Sequence, residues 1–113
     1  MAKINSVIAS EVFWGQRPGQ DAFQIDVLIG TPYQVWDDQE YAWVCPVEVR
    51  PLHPELQEAL GSSSLQALCL ASSLAFSLLQ AFKEREGDLF HSPGEEISLE
   101  SYAFGIAARQ DDH

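Results

Sequence analysis

The chain has 113 residues, with six basic against seventeen acidic side chains and a formal net charge of −11. This length suits one domain, and 46% hydrophobic with 20% charged residues is typical of a globular rather than a disordered protein. The acidic excess argues against binding to nucleic acid or to anionic membranes, because such binders cluster Lys and Arg to neutralise phosphates. We therefore predict a protein partner, either a basic protein or a second copy of this chain.

Two cysteines, Cys45 and Cys69, are too few for a disulfide framework, and we predict two reduced, buried thiols. A disulfide bridge, a reactive thiol or a bound metal is the alternative for this pair. The first residues lack the apolar stretch and cleavage pattern of a signal peptide, which predicts a cytoplasmic protein. One domain is expected over residues 1–107, followed by a disordered acidic tail over residues 108–113.

Two strands are predicted before residue 31. The first covers residues 4–14, which are rich in β-branched and aromatic side chains, and residues 15–19 have the composition of a turn. The second covers residues 22–30, where a period of two places four apolar side chains on one face: Phe23, Ile25, Val27 and Ile29. The two strands are therefore expected to form a hairpin with one buried face.

Residues 31–39 are predicted to be a connection between strands. The segment mixes aromatic and acidic side chains, which makes it the best candidate for contact with a small ligand or a partner. The candidate residues are Tyr33, Trp36, Asp37 and Asp38. A turn held in place by packed aromatic rings is the alternative explanation of the same residues.

A third strand is predicted over residues 40–50, with one face formed by alternate apolar residues: Tyr41, Trp43, Cys45, Val47 and Val49. Pro46 interrupts this strand and has no N–H to donate, so it is expected at an unpaired position or a bulge. Residues 51–54 end the strand, and residues 50–62 are predicted to form a long connection.

A long helix is predicted to begin at Ser63, because Ser63 and Gln66 match a capping box, and to end near Glu86 with Gly87 as a left-handed stop. Its polar side chains occupy a stripe of roughly 60° that is a candidate interaction surface. The stripe comprises Gln66, Ser73, Ser77, Gln80 and Glu84. The remaining circumference is apolar, so more than one side of the helix is expected to be covered.

Beyond the helix, residues 88–91 are predicted to form a short strand and residues 92–94 a turn. Ile97 and Leu99 alternate with polar residues and suggest an edge strand. Residues 102–106 carry enough apolar bulk to dock on the body of the domain.

No phosphate-binding glycine loop or nucleophile elbow occurs in the sequence. Two groups combine a histidine with nearby acids: His53 with Glu55 and Glu58, and His91 with Glu95 and Glu96. Neither has the spacing that places two imidazoles on one helical face, and polar loops are the favoured explanation. We therefore predict no catalytic residue, no metal ligand and no cofactor.

One combination of segments resembles a known pattern: the strand WVCPV at residues 43–47, the helix start GSSSLQAL at residues 61–68, and GDLF at residues 87–90. This combination resembles a family of small bacterial domains of unknown function that has a Trp-x-Cys strand, a Gly-x-x-Ser-Leu-Gln-Ala-Leu helix start and a short return strand. The resemblance covers roughly residues 22–92 and departs at Ser63, where an acid is expected as often as Ser. It implies the fold and a bacterial origin, and it carries no catalytic residue.

Together these features predict an α+β fold in the order β-β-β-α-β, in which a three- to five-stranded antiparallel meander packs on one long helix. The predicted function is that of a non-catalytic protein-interaction module, either a homodimer or the acidic partner of a basic protein, such as an immunity-like accessory factor. The alternative is a small-molecule-binding domain or minor enzyme with a pocket near residues 31–39. An acidic mimic of nucleic acid is less favoured, because the carboxylates form patches and not a row.

Overall fold

The computed structural model describes residue 4 and residues 6–38, 40–92 and 95–96. Within these residues, one antiparallel sheet packs on one helix, which confirms the α+β class. The strands are β1 (Val7–Gln16), β2 (Phe23–Gly30), β3 (Tyr33–Asp37), β4 (Glu40–Arg50), β5 (His53–Gly61), β6 (Asp88–Ser92) and β7 (Glu95–Glu96). The helix, α1 (Ser64–Arg85), lies between β5 and β6 in the chain.

The seven strands occupy six positions across the sheet. β5 pairs with one edge of β4. The other edge of β4 pairs with β3, where Val44 is opposite Tyr33, and then with β2, where Val47 is opposite Ile29. β2 and β3 therefore form one interrupted strand, and the order across the sheet is β5, β4, β2 with β3, β1, β6 and β7.

The prediction of connections at residues 31–39 and 50–62 is wrong, because β3 and β5 lie there, and the order β-β-β-α-β misses both strands and β7. β3 was hidden because Thr31 and Pro32 interrupt the strand that it continues. β5 has few apolar residues because its outer edge pairs with no described strand, so polar side chains are tolerated there.

The predicted second and third strands are confirmed as β2 and β4, with Pro46 opposite the break between β2 and β3. β1 begins later than predicted and continues through Gly15, which was assigned to a turn. A Cβ on Gly15 would lie 2.9 Å from Cδ1 of Ile25. Gly15 is therefore explained by close packing inside a strand and not by a turn.

The core lies between α1 and the sheet face that we call the helix-side face; the opposite face is the outer face. From α1 the core receives Ala67, Ala71, Ala75, Leu79 and Phe82. From β2 and β4 it receives Ile25, Val27, Ile29, Cys45, Val47 and Val49. The three alanines follow each other at intervals of four residues, so a narrow stripe of methyl groups lets the helix approach the strands closely.

The N-terminus of α1 is capped by Ser63, as predicted: its Oγ accepts a hydrogen bond from the Gln66 N–H at 3.1 Å. The Gln66 Oε1 in turn accepts from the N–H of Ser62 at 2.6 Å and from its hydroxyl at 3.0 Å. The reciprocal bond of the capping box therefore reaches one residue further back than usual, and it anchors the end of β5 to the helix.

The C-terminus of α1 is closed by backbone bonds, because the N–H groups of Glu86 and Gly87 both donate to the Phe82 carbonyl, at 2.8 and 3.1 Å. The predicted left-handed stop at Gly87 is wrong, since its φ is not positive. Glycine is required there for another reason: a Cβ would collide with the Gln16 carbonyl of β1.

By length and composition alone, α1 could also cross a membrane. In this structure it packs its alanine stripe on the sheet. The predicted strand through Ile97 and Leu99, the docking of residues 102–106 and the tail at residues 108–113 lie outside the described residues, as does most of the turn at residues 92–94.

Ala71 is fully buried between helix and sheet, whereas Ser73 is exposed on the far side of α1. We expect Ala71→Leu to lower the free energy of unfolding by about 1–3 kcal/mol, because extra methylenes must displace packed neighbours. The matched control Ser73→Leu should change it by less than about 0.5 kcal/mol. Urea denaturation measures both, and equal stability of the two variants would contradict the close approach of helix and sheet.

Candidate interaction site

The predicted contact residues at positions 33–38 lie in a β-hairpin formed by β3 and β4. Asp38 occupies its turn with a φ of 57°. Because side chains alternate along a strand, Tyr33 points to the outer face and Trp36 to the helix-side face. The structure therefore does not bring Tyr33 and Trp36 together. Asp38 is exposed, and the side chain of Asp37 is outside the described part.

An exposed aromatic pair lies at the tip of this hairpin. Trp36 and Tyr41 are opposite each other in the β3–β4 ladder, with ring centroids 4.7 Å apart at an interplanar angle of 63°. Their side chains are 59% and 61% exposed, so the rings contact each other and leave most of their surface to solvent. Trp36 was among the predicted contact residues and Tyr41 was not, although the sequence shows the two aromatics flanking the segment Asp-Asp-Gln-Glu.

The position of α1 explains this exposure. Trp43, two residues from Tyr41 on the helix-side face, pairs with Gly61 and is half-buried against the core. A Cβ on Gly61 would lie 2.6 Å from the backbone nitrogen of Ala67, so the first turn of the helix rests directly on this pair of strands. The hairpin continues past that turn, and the rings of Trp36 and Tyr41 are uncovered as a result.

The hairpin tip is strongly acidic. Asp38 and Glu40 are exposed in and beside its turn. The sequence has no Lys or Arg between Arg17 and Arg50, whereas four acids lie within residues 31–49. The aromatic pair therefore sits in a region of negative potential that attracts cations.

A second ring pair, at the opposite end of α1, holds a guanidinium. Phe23 and Phe82 meet edge to face, with centroids 5.7 Å apart. The Arg17 guanidinium carbon lies 5.1 Å from the Phe23 centroid and 5.3 Å from that of Phe82. Glu86 Oε1 accepts hydrogen bonds from Arg17 Nη2 at 2.8 Å and from Nε at 3.1 Å. The contact ties the turn after β1 to the end of the helix.

The side chain of Tyr33 crosses the outer face of β4, and its hydroxyl donates a 2.9 Å hydrogen bond to Glu58 of β5. Val44 and Pro46 lie between the two partners on β4, and both are buried. The hydrogen bond to Glu58, followed by burial and the carboxylate charge, raises the pKa of Tyr33 above its ordinary value of 10.0.

Removal of the Tyr33 hydroxyl in Tyr33→Phe should lower the free energy of unfolding at neutral pH by about 0.5 kcal/mol, the lower end for a hydrogen bond, because Tyr33 is 44% exposed. Since the folded pKa is raised, this contribution is complete below pH 10.0 and is lost as pH rises through the folded value. The variant and the wild type should therefore converge in alkaline solution. Urea denaturation at neutral pH and in alkaline solution tests this. The same difference in free energy of unfolding between the two proteins under both conditions would refute it.

The predicted polar stripe on α1 faces away from the sheet, and all five members are exposed: Gln66, Ser73, Ser77, Gln80 and Glu84. Gln80 Nε2 donates to Glu84 Oε2 at 2.7 Å, so two members already bind each other. Leu65 and Leu70, on either flank of the stripe, are 67% and 45% exposed. A role of this surface in binding stays a prediction.

The two cysteines differ in environment. Cys45 is fully buried, its thiol donates to the Gly30 carbonyl at 3.3 Å, and burial raises its pKa above 9.0. Cys69, on α1, is half-buried. The prediction of two buried thiols therefore holds fully for Cys45 alone. Both are free.

Under native conditions a thiol-alkylating reagent should modify Cys69 and spare Cys45, because only the thiolate reacts and Cys45 is both shielded and held protonated. Mass spectrometry of the intact protein should show one adduct in the wild type and none in Cys69→Ser. Full denaturation should restore the second site, and modification of native Cys69→Ser would contradict the burial of Cys45.

The two histidine groups considered as metal sites have other contacts. The His53 Nδ1 lies 3.2 Å from the Glu55 carbonyl oxygen, and Gln57 Nε2 lies 3.3 Å from Nδ1 and 3.4 Å from Nε2 of the same ring. Glu58 binds Tyr33. His91 stacks on Phe13 with centroids 5.9 Å apart. Among the described residues, no group of three or more His, Cys, Asp or Glu could hold a metal ion.

No family model, curated protein or solved structure matches the chain. The resemblance to a family of small bacterial domains therefore stays a prediction.

Proposed function

We propose that this protein is a non-catalytic protein-interaction module that binds its partner through the tip of the β3–β4 hairpin. The observation that carries the proposal is the Trp36–Tyr41 pair, more than half exposed on the two paired strands of the hairpin. Trp and Tyr are enriched among the residues that dominate binding energy, because each supplies a large apolar surface with few rotatable bonds.

The composition of the exposed surface supports this function. Large aromatic side chains bury about 150–250 Å² each, so two rings that are about 60% exposed offer roughly 200–300 Å² of apolar surface. Aromatic rings beside acidic residues resemble the centre of a protein interface, where aromatic anchors are surrounded by polar residues.

A different, basic protein fits this surface better than a second copy of the chain. Two molecules that each carry a net charge of −11 repel each other, whereas a basic partner is attracted to the acidic tip. Pairing of two copies through the β5 edge is also disfavoured, because Pro54, Glu55 and an irregular register interrupt that strand. The proposed role is therefore that of an acidic accessory protein.

The proposal is tested by placing a photo-crosslinking amino acid at position 36 in the cells that produce the protein. The matched control carries it at position 60, because Leu60 is equally exposed, at 63%, but lies on the outer face. We expect a discrete protein adduct from position 36 that is absent from position 60, and loss of this adduct when Tyr41→Ala is added. Identical adduct patterns at both positions, or none at position 36, would reject the hairpin tip as the binding surface.

Crosslinking also separates the two kinds of partner. An adduct with a basic protein supports the accessory role. An adduct whose mass is twice that of the chain would instead show self-association and reject the accessory role. Light scattering of the purified protein gives the independent measurement, and we expect a monomer.

A further inference from the structure

We propose that the hairpin tip binds an arginine side chain of the partner, with its guanidinium against the Trp36–Tyr41 rings and within reach of the Asp38 carboxylate. This inference rests on the proposed function and names the chemistry that the partner must present. The same chain already makes a contact of this kind internally.

The internal example is Arg17. There, two edge-to-face rings, Phe23 and Phe82, receive one guanidinium at 5.1 and 5.3 Å, and Glu86 neutralises its charge at 2.8 Å. Two rings and one carboxylate are thus sufficient to hold an arginine on the surface of this fold, because the ring faces attract the cation and the carboxylate accepts its N–H groups.

The hairpin tip also has two rings and a carboxylate. Its rings also meet edge to face, and their centroids are closer, at 4.7 Å against 5.7 Å for the Phe pair. Asp38 is exposed in the turn, two residues from Trp36 along the chain. Glu40 is exposed too, but it alternates with Tyr41 along β4 and so belongs to the outer face.

The other basic residues of the described part are placed elsewhere. Arg50 lies 3.7 Å from Glu48 at the far end of β4 from the hairpin turn. Lys83 and Arg85 are in the last turn of α1, and a helix of 22 residues is about 33 Å long. Since the first turn of α1 lies beside Trp43, these two residues are at the opposite end of the helix, so none of the four basic residues of the described part lies at the hairpin tip.

Arginine fits better than lysine for geometric reasons. A guanidinium is planar, so it can lie on an indole ring while its N–H groups at the edge reach carboxylates at the same time. An ammonium group is a compact, strongly hydrated charge and gains less from a ring face. We therefore expect the tip to discriminate between the two basic side chains.

The test uses a capped peptide of alternating arginine and glycine, with a lysine–glycine peptide of equal length as comparison. Titration into the full-length protein is followed by the NMR signals of the Trp36 indole N–H and of the backbone amides of residues 36–41. We expect saturable shifts confined to this segment, tighter binding of the arginine peptide, and weakening by salt.

Three variants separate rings from charges. Trp36→Leu keeps every charge and should weaken arginine-peptide binding about two- to five-fold. Asp38→Asn keeps the rings and should weaken binding and flatten its salt dependence, and Asn tolerates the positive φ at position 38. Asp21→Asn with Glu55→Gln removes two exposed acids elsewhere and should leave binding at the tip unchanged.

Equal binding by Trp36→Leu and wild type, equal affinity for both peptides, or shifts spread over acidic residues throughout the chain would overturn the arginine inference. The proposed function fails separately. If position 36 crosslinks a protein whose contact lacks arginine, the interaction module stands and this inference falls. If the peptide binds at the tip but no protein crosslinks there, the chemistry stands and the proposed function falls.

Discussion

The close contact between the alanine stripe of α1 and the sheet determines which surfaces of this protein are buried and which are exposed. Methyl groups at Ala67, Ala71 and Ala75 and the missing side chain of Gly61 allow the helix to lie directly on β4 and β5. The helix therefore begins above Trp43, and the β3–β4 hairpin extends beyond the N-terminus of the helix. Burial of the core and exposure of the aromatic pair are two results of the same helix position.

The parts of the fold that could be predicted are those whose signal is local. β2 and β4 each carry an apolar residue at every second position of one face, and Ser63 with Gln66 marks the start of α1, so these elements are found where they were expected. β3 and β5 were missed because their stability comes from pairing with β4 on either side and not from their own pattern. The glycines at positions 15 and 87 were misassigned because only tertiary neighbours show why no side chain fits there.

The candidate site was predictable only in part, for a similar reason. The mixture of Trp36 with acids was visible in the composition. The exposure of Tyr41, however, depends on where the N-terminus of α1 lies above the sheet. The Arg17 contact joins residues 69 positions apart, so no local pattern indicates it. Tyr33, predicted as a contact residue of the same site, binds Glu58 across the outer face and is separated from Trp36 by the thickness of the sheet.

Because β2 and β3 together form one long interrupted strand, the hairpin tip is joined to the domain only through its two strands and makes few contacts with the core. Substitutions at sites without shared neighbours have independent effects on stability. Changes of side chain at the tip are therefore compatible with an unchanged core. Such a tip can vary in sequence while the scaffold keeps its fold, in the same way that antigen-binding loops vary on a constant framework.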